Sequence, residues 1–198
     1  MDERALIASA QKGDLNAFNQ LVLAYQELVY NVAYRILGNE DKAMDATQDA
    51  FLKGFRALPR FRGGSFKTWI LRIVTNCAYD QLRTMRRRPT TPLDDLVENE
   101  EHSRIFEDPQ EAPDDYIERQ ELNALIQLGL QSLPYEQRVV LVMSDIQGMS
   151  YEEIASATSI SLGTVKSRLS RGRAKLRNFL LAHEELLPSK YRLGNDKR

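Results

Sequence analysis

Cysteine, histidine and long apolar runs are what this sequence has least of. A single cysteine in 198 residues excludes a disulfide framework within the chain, and Cys77 stands at an apolar position of a helical pattern. The two histidines, His102 and His183, are far apart in sequence, and no Walker, zinc-site or serine-nucleophile motif accompanies them. Catalytic, metal-ligating and cofactor-binding residues are therefore expected to be absent. No apolar run reaches the length of a membrane span, and the opening Met1-Asp2-Glu3 does not begin a signal peptide. The expected location is the cytoplasm, with no membrane contact.

Net charge is also nearly missing, at −1, but that value averages opposites. Residues 60–88 carry eight Lys or Arg against one acid, Asp80, a balance of +7. Residues 89–113 carry eight Asp or Glu against Arg104, a balance of −7, with four prolines and no sustained periodicity. Residues 166–177 add a further six basic side chains and no acid. Two basic blocks separated by an acidic, proline-bearing stretch read as two sites for a polyanion joined by a mobile linker. With 42% hydrophobic residues the chain can bury two small cores. The expected organisation is a first domain over 1–88, a linker over 89–113, a second domain over 114–183 and a tail over 184–198.

Periodicity gives helices throughout and no convincing strand, so the fold class is all-α. A short helix over 2–12 ends at Gly13. Asp14 caps a long second helix whose inward positions are Leu15, Phe18, Val22, Tyr25, Val29, Val32 and Ile36, closed by Gly38. A third follows Asn39 and stops before Pro59, with Ala43, Ala46, Ala50, Phe51 and Phe55 inward. Its other side shows Asp45, Gln48, Asp49 and Arg56; Asp45 and Asp49 lie a full turn inside the helix, deeper than dipole stabilisation requires. The loop R-F-R-G-G-S (60–65) combines two arginines, an aromatic and two glycines, a composition suited to single-stranded nucleic acid. A fourth helix over 66–87 has Phe66, Trp69, Ile70, Ile73, Cys77 and Leu82 as its inward stripe. Trp69 is expected to be core; Phe61 suits packing and base stacking equally. Helix returns over 114–133, with Ile117, Leu122, Leu125 and Leu128 inward, and again over 135–146. The apolar run 139–143 is short enough to read either way, but its neighbours are helical.

Residues 150–181 carry the sharpest pattern. Ser150 and Glu153 form a capping box, with Met149 and Ile154 as its hydrophobic staple. Ser161 caps the next helix, where Leu162, Val165, Leu169, Gly172, Leu176 and Leu180 lie on one arc. The rest of that helix carries Lys166, Arg168, Arg171, Arg173, Lys175 and Arg177, with Thr164, Ser167 and Ser170 between them. A short capped helix followed by a basic one is the helix-turn-helix pattern, in which the second helix enters the major groove by its N-terminal turns. A solvated amphipathic helix is the plainer alternative, and the paired caps and missing acids favour DNA. The turn position Ser159 is where left-handed backbone is expected, at a cost of about 1 kcal/mol for a residue with a Cβ.

In this order the motifs G-D-L-N-A-F (13–18), D-A-T-Q-D-A-F-L-K-G-F-R-A-L (45–58), F-R-G-G-S-F-K-T-W-I-L-R-I-V-T-N (61–76), L-P-Y-E-Q-R (133–138), S-Y-E-E-I-A (150–155) and G-T-V-K-S-R-L-S-R-G-R (163–173) resemble a bacterial sigma factor of the extracytoplasmic-function group. The resemblance covers most of the chain. It implies a non-catalytic specificity subunit of RNA polymerase without cofactors. Its partners would be core RNA polymerase (clamp helices of the largest subunit, flap of the second), promoter DNA and an anti-sigma factor. Asp45, Gln48, Asp49, Phe51, Leu52 and Arg56 match the helix that docks on the clamp. Arg60, Phe61, Arg62, Ser65, Lys67, Arg72, Asn76 and Arg83 match the loop and helix that take a flipped base of the minus-ten element. Ser161, Thr164, Lys166, Ser167, Arg168, Ser170, Arg171 and Arg173 inherit contact with the minus-thirty-five element. The family's linker threads the RNA exit region, so acidity there would mimic RNA or simply keep a tether solvated. Thr158 and Ser159, where the family more often has Leu and Gly, and the Gly63-Gly64 pair depart from the family pattern. A stand-alone repressor would share the helix-turn-helix but needs a dimerising or sensing domain. A recombinase would need clustered nucleophile, acids and metal ligands.

Overall fold

A computed structural model describes residues 2–87, 113–188 and 191–192. The linker, and every reading of its acidity, lies outside the described residues. Those residues form α1 (Glu3–Gln11), α2 (Leu15–Leu37), α3 (Glu40–Ala57), α4 (Phe66–Arg87), α5 (Pro113–Gln131), α6 (Tyr135–Leu141), α7 (Tyr151–Thr158) and α8 (Leu162–Ala182), with no strand among them. Short 3-10 turns occupy Leu58–Arg60 and Glu184–Leu186, and a π-helical turn occupies Val142–Ile146.

The helix starts follow the cap residues. Asp14 Oδ1 accepts from the Asn16 and Ala17 amides at 2.9 and 3.2 Å, and Asn39 Oδ1 from Lys42 N at 3.0 Å. Each such cap contributes about 1 kcal/mol by satisfying amides that have no intrahelical partner. Gly38, at φ 71°, turns α2 into α3 through left-handed backbone.

α1 to α4 make the first bundle. Ala43, Ala46, Ala50 and Gly54 are buried along α3 and let it approach its neighbours closely; a Cβ on Gly54 would stand 3.1 Å from Ile70 Cδ1. Two expectations fail here. Leu15 is 61% exposed, because it is the first residue of α2 and the inward face begins at Ala17 and Phe18. On α4, Ile73 and Leu82 are half-buried, whereas Leu71, Val74 and Ala78 are wholly buried. α2 and α3 both pack on α4, so its buried arc is wider than one stripe.

α5 to α8 make the second bundle, with α8 packed on α5, α6 and α7. The run 139–143 is buried throughout and helical. Instead of one regular helix over 135–146, the chain widens after Leu141, where Gln147 N reaches back to Val142 O at 3.0 Å. Ile117 and Leu128, expected inward, are 54% and 59% exposed. α5 lies between α8 and α2, and its polar Gln127 is buried against α2 where the apolar pattern would have placed leucine.

The two bundles touch where α2 meets α5 and α6 and α4 meets α7, through apolar side chains that join one continuous core and through hydrogen bonds beside them. Arg35 Nη2 donates to Asn123 Oδ1 at 3.0 Å, and Gln127 Nε2 donates to Tyr34 O at 3.1 Å. Arg138, 8% exposed, donates from Nη1 to Ile36 O at 2.7 Å and from Nη2 to Gln131 O at 2.8 Å and Leu133 O at 3.2 Å. Burial lowers its pKa to about 10, so it stays charged at neutral pH. Gln131 packs where a side chain on Gly38 would stand.

Candidate nucleic-acid interface

Three surfaces collect the candidate residues. The first is the outer face of α3, whose exposed residues include Asp45, Gln48, Asp49 and Arg56, together with Leu52 at 57% and Met44 at 51% exposure. Apolar side chains that far out beside acids make a face suited to a protein partner. Phe51 does not share it. It is 8% exposed and part of the first bundle's core, because position 51 lies one turn from the buried Thr47 on one side and the buried Gly54 on the other. Its assignment as a contact residue is corrected to a core residue.

The second surface is the loop after α3 with the start of α4. Gly63 and Gly64 both sit at φ 93°, backbone that a residue with a Cβ rarely adopts, and they swing the loop back onto α4. Ser65 Oγ accepts from Thr68 N at 3.2 Å, so it holds the start of α4. Phe61 packs on Trp69 at 5.1 Å and on Phe66 at 6.2 Å between ring centroids, and Phe66 is wholly buried beneath them. Trp69, expected to be core, is half-buried and lines an open cleft with Phe61, Arg60, Arg62 and Arg72. Lys67, Asn76 and Arg83 are exposed farther along α4. Cys77 is buried below, with Lys53 Nζ donating to its Sγ at 3.4 Å. Burial pushes that thiol up, against the opposing effect of Lys53.

The third surface is α7, the turn and α8. Both halves of the capping box form: Glu153 N donates to Ser150 Oγ at 3.2 Å, and Ser150 N to Glu153 Oε2 at 2.9 Å. Ser159 is left-handed, φ 57° and ψ 38°, and is the one non-glycine residue with positive φ among the described residues. Ser161 Oγ accepts from Thr164 N at 3.1 Å and pairs with Thr164 Oγ1 at 2.8 Å; Ser167 Oγ donates to Thr164 O at 3.0 Å. Those three hydroxyls are partly spent on the helix itself. Val165, Leu169 and Gly172 are buried, while Lys166, Ser170 and Arg171 are exposed and Arg168 is half-buried.

Arg173 departs from expectation. Its Nε and Nη2 donate to the two oxygens of Asp145 at 2.8 and 2.6 Å. Those donated hydrogen bonds hold the Asp145 carboxyl below the usual aspartate range. The guanidinium thus faces a carboxylate on the π turn instead of standing free for DNA. The sequence shows no acid near Arg173, because Asp145 is 28 positions away. Nothing in the periodicity announces the π turn that carries it. Glu152 and Glu153, on the cleft's far wall, also escape a reading made helix by helix.

Family models match the two bundles in turn: sigma-70 region 2 over residues 21–88 and sigma-70 region 4 over residues 124–176. The RNA polymerase sigma-H factor of Pseudomonas aeruginosa is 36% identical over 177 residues, covering 86% of this chain and 90% of that protein. The ECF RNA polymerase sigma-E factor of Escherichia coli K12 is 35% identical over 181 residues, covering 90% and 94%. The chain belongs to the extracytoplasmic-function group of the sigma-70 family. This sigma factor is also 37% identical over 177 residues to the ECF RNA polymerase sigma factor SigE of Mycolicibacterium smegmatis, spanning 66% of that longer relative. Among solved structures it is similar to CnrH in complex with the cytosolic domain of CnrY. That match has a TM-score of 0.63 and 28% identity, and covers 92% of this chain and 99% of that one. RpoE of Bartonella quintana, solved in complex with the anti-sigma factor NepR, shares the fold at TM-score 0.62 and 24% identity.

Proposed function

We propose that this sigma factor binds core RNA polymerase through the outer face of α3 and directs promoter-specific initiation with two separate DNA-reading surfaces. The loop at 60–65 and the adjoining part of α4 take the minus-ten element, and the exposed side of α8 takes the minus-thirty-five element. The protein acts as a non-catalytic specificity subunit in the cytoplasm. No helix among the described residues is long and apolar enough to cross a membrane. Working boundaries are 1–88 and 114–183 for the two DNA-reading domains, with the acidic stretch 89–113 between them.

The observation that carries this reading is that aromatic-arginine and basic-helix surfaces occupy separate bundles, in the order in which the two family regions match. Single-stranded DNA calls for stacking platforms beside cations, and duplex DNA for a helix end offering side chains to the groove. A further apolar cleft of about 380 Å³ on the second bundle, lined by Leu141, Leu176, Leu180 and Leu187, supports protein partners there. We assign these as the flap of the second-largest polymerase subunit and, in the inhibited state, an anti-sigma factor.

The test is transcription in vitro by core enzyme plus this protein from a randomised promoter library, with start sites sequenced. Two conserved elements at fixed spacing upstream of the starts are expected. Starts without such elements, or tight palindrome binding by the free chain, would favour a stand-alone repressor.

A further inference from the structure

The aromatic platform of the minus-ten loop is tied down by α1, a helix that carries none of the candidate contact residues. α1 lies outside residues 21–88, the stretch that matches sigma-70 region 2, yet its last residue reaches the loop. Gln11 Nε2 donates to Leu58 O at 3.1 Å and to Phe61 O at 2.8 Å, across 47 and 50 positions of sequence. We propose that Gln11 is a positioning residue for minus-ten recognition. It fixes the backbone that carries Phe61, and with it the ring on which the captured base is laid. This rests on reading that loop as the minus-ten site.

The loop needs such a tie. Gly63 and Gly64 both sit at φ 93°, and glycine leaves the backbone freer than any other residue. Phe61 follows the 3-10 turn Leu58–Arg60, and its own amide donates to Leu58 O at 2.9 Å. Gln11 fills the second lone pair of that carbonyl and binds the carbonyl of Phe61 as well, so one amide spans both ends of the turn. Both partners only accept, so the nitrogen with its two hydrogens is the end of the side chain that fits. The anchor is itself rigid. Asp2 Oδ1 caps α1, accepting from Arg4 N at 3.1 Å and Ala5 N at 3.3 Å, and Ile7 and Ala10 are buried. Lys12 N and Gly13 N donate back to Ser9 O and Ala10 O, both at 3.0 Å, so Gln11 stands at a closed corner. A second tie joins the same helix to the same platform. The Tyr25 hydroxyl donates to Glu3 Oε2, and its ring lies 5.3 Å from Phe66, which packs 5.4 Å from Trp69. Burial, and then that carboxylate, push the Tyr25 hydroxyl up to about 12, so it stays a donor at neutral pH. The backbone of one ring and the floor beneath the others are thus both set from α1.

The experiment uses holoenzyme assembled from core polymerase and the full chain. Its DNA is a promoter whose strands are mismatched across the minus-ten element mapped by transcription. Each position of the element carries in turn its preferred base or an abasic site, and the ratio of the two affinities measures base capture. Gln11→Met keeps the length of the side chain and removes its donors. It should lower the ratio about 10-fold at the captured position, as expected for two lost hydrogen bonds. Affinity for the abasic promoter, competition for core polymerase and the melting temperature should stay within about twofold or unchanged, respectively, because the platform and not the bundle is altered. Gln11→Glu sets carboxylate oxygens against two carbonyls and should lower the ratio at least as far. Gln11→Lys returns donors to the same carbonyls and should restore it. An undiminished ratio in Gln11→Met, an equal loss on preferred and abasic DNA, or no restoration by Gln11→Lys overturns the proposal. If Gln11→Met does not fold, Gln11→Glu against Gln11→Lys decides by the same ratio. A natural holoenzyme indifferent to an abasic site at every position would instead sink the reading of the loop, so the two failures are distinguishable.

Discussion

At the scale of single residues the molecule shows which side chains read DNA and which hold the reader in place. Ser159 adopts φ 57°, where a Cβ costs about 1–2 kcal/mol, so Ser159→Gly should raise stability by about 1 kcal/mol in thermal melts and leave DNA binding unchanged. Arg173 is held by Asp145, an ion pair whose side chains are 49% and 32% exposed, so its worth is at most about 1 kcal/mol. Asp145→Ala should release the guanidinium toward phosphate and steepen the salt dependence of promoter binding by about one unit. The folded-state pKa of Asp145 is depressed. The pair's stabilisation is therefore fully present above the ordinary aspartate value of about 3.9, and is lost only as pH falls below it through the folded-state value. Melting curves from pH 7 to pH 3 check this: a loss specific to the natural chain should begin below pH 4, and a loss near pH 6 would contradict it. Arg171 and Arg177 are both exposed, on earlier and later turns of α8. Arg171→Ala should cost about 1–3 kcal/mol and relax preference at one or two minus-thirty-five positions. Arg177→Ala should weaken all variants evenly and lower the salt slope by about one. Transcription from a randomised upstream element at two salt concentrations separates them, and the reverse pattern would mean the helix enters the groove by its other end. Ser159, Ser150 and Ser161 were legible in sequence because caps and turns are local chemistry. The Arg173–Asp145 pair was not, since it depends on how two helices meet.

At the scale of elements, amphipathic periodicity placed every long helix, and its errors on α4 and α5 share one cause. It assumes a single inward face. α4, packed against both α2 and α3, buries Leu71, Val74 and Ala78 beside the expected stripe. α5, held between α8 and α2, buries Gln127 and exposes Leu128. On α3 periodicity placed Phe51 inward, as it is; the contact role came from the resemblance alone, and one residue's rotation separates it from the exposed Leu52. A pair of substitutions tests that boundary. Gln48→Ala with Asp49→Ala should weaken competition for core polymerase while helicity and melting stay unchanged. Phe51→Ala should instead destabilise the first bundle by about 3–5 kcal/mol, as large core truncations do. Denaturant titration beside a core-binding assay distinguishes the two, and undiminished core binding by the double variant would remove α3 from the docking surface.

At the scale of the whole molecule, two bundles share a seam whose hydrogen bonds composition and periodicity did not announce. Arg138 read as an ordinary charged residue of a short helix, yet it is 8% exposed and ties Ile36 of one bundle to Leu133 of the other. Leaving those carbonyls without a donor costs about 1–3 kcal/mol. Arg138→Met should therefore lower the stability of the second bundle by that order and separate unfolding into two calorimetric transitions where the natural chain shows a more merged one. A single unshifted transition in the variant would show that the seam carries no coupling.

The position of Trp69 has an optical consequence. It is the chain's sole tryptophan, half-buried against Phe61 and Phe66 at the mouth of the cleft. Its indole emission is thus a built-in reporter of a nucleobase laid on the aromatic platform. With the lone thiol of Cys77 buried, external dyes can be placed at introduced cysteines without a competing native site. Without any label, the free chain can be followed onto a single strand by its own fluorescence.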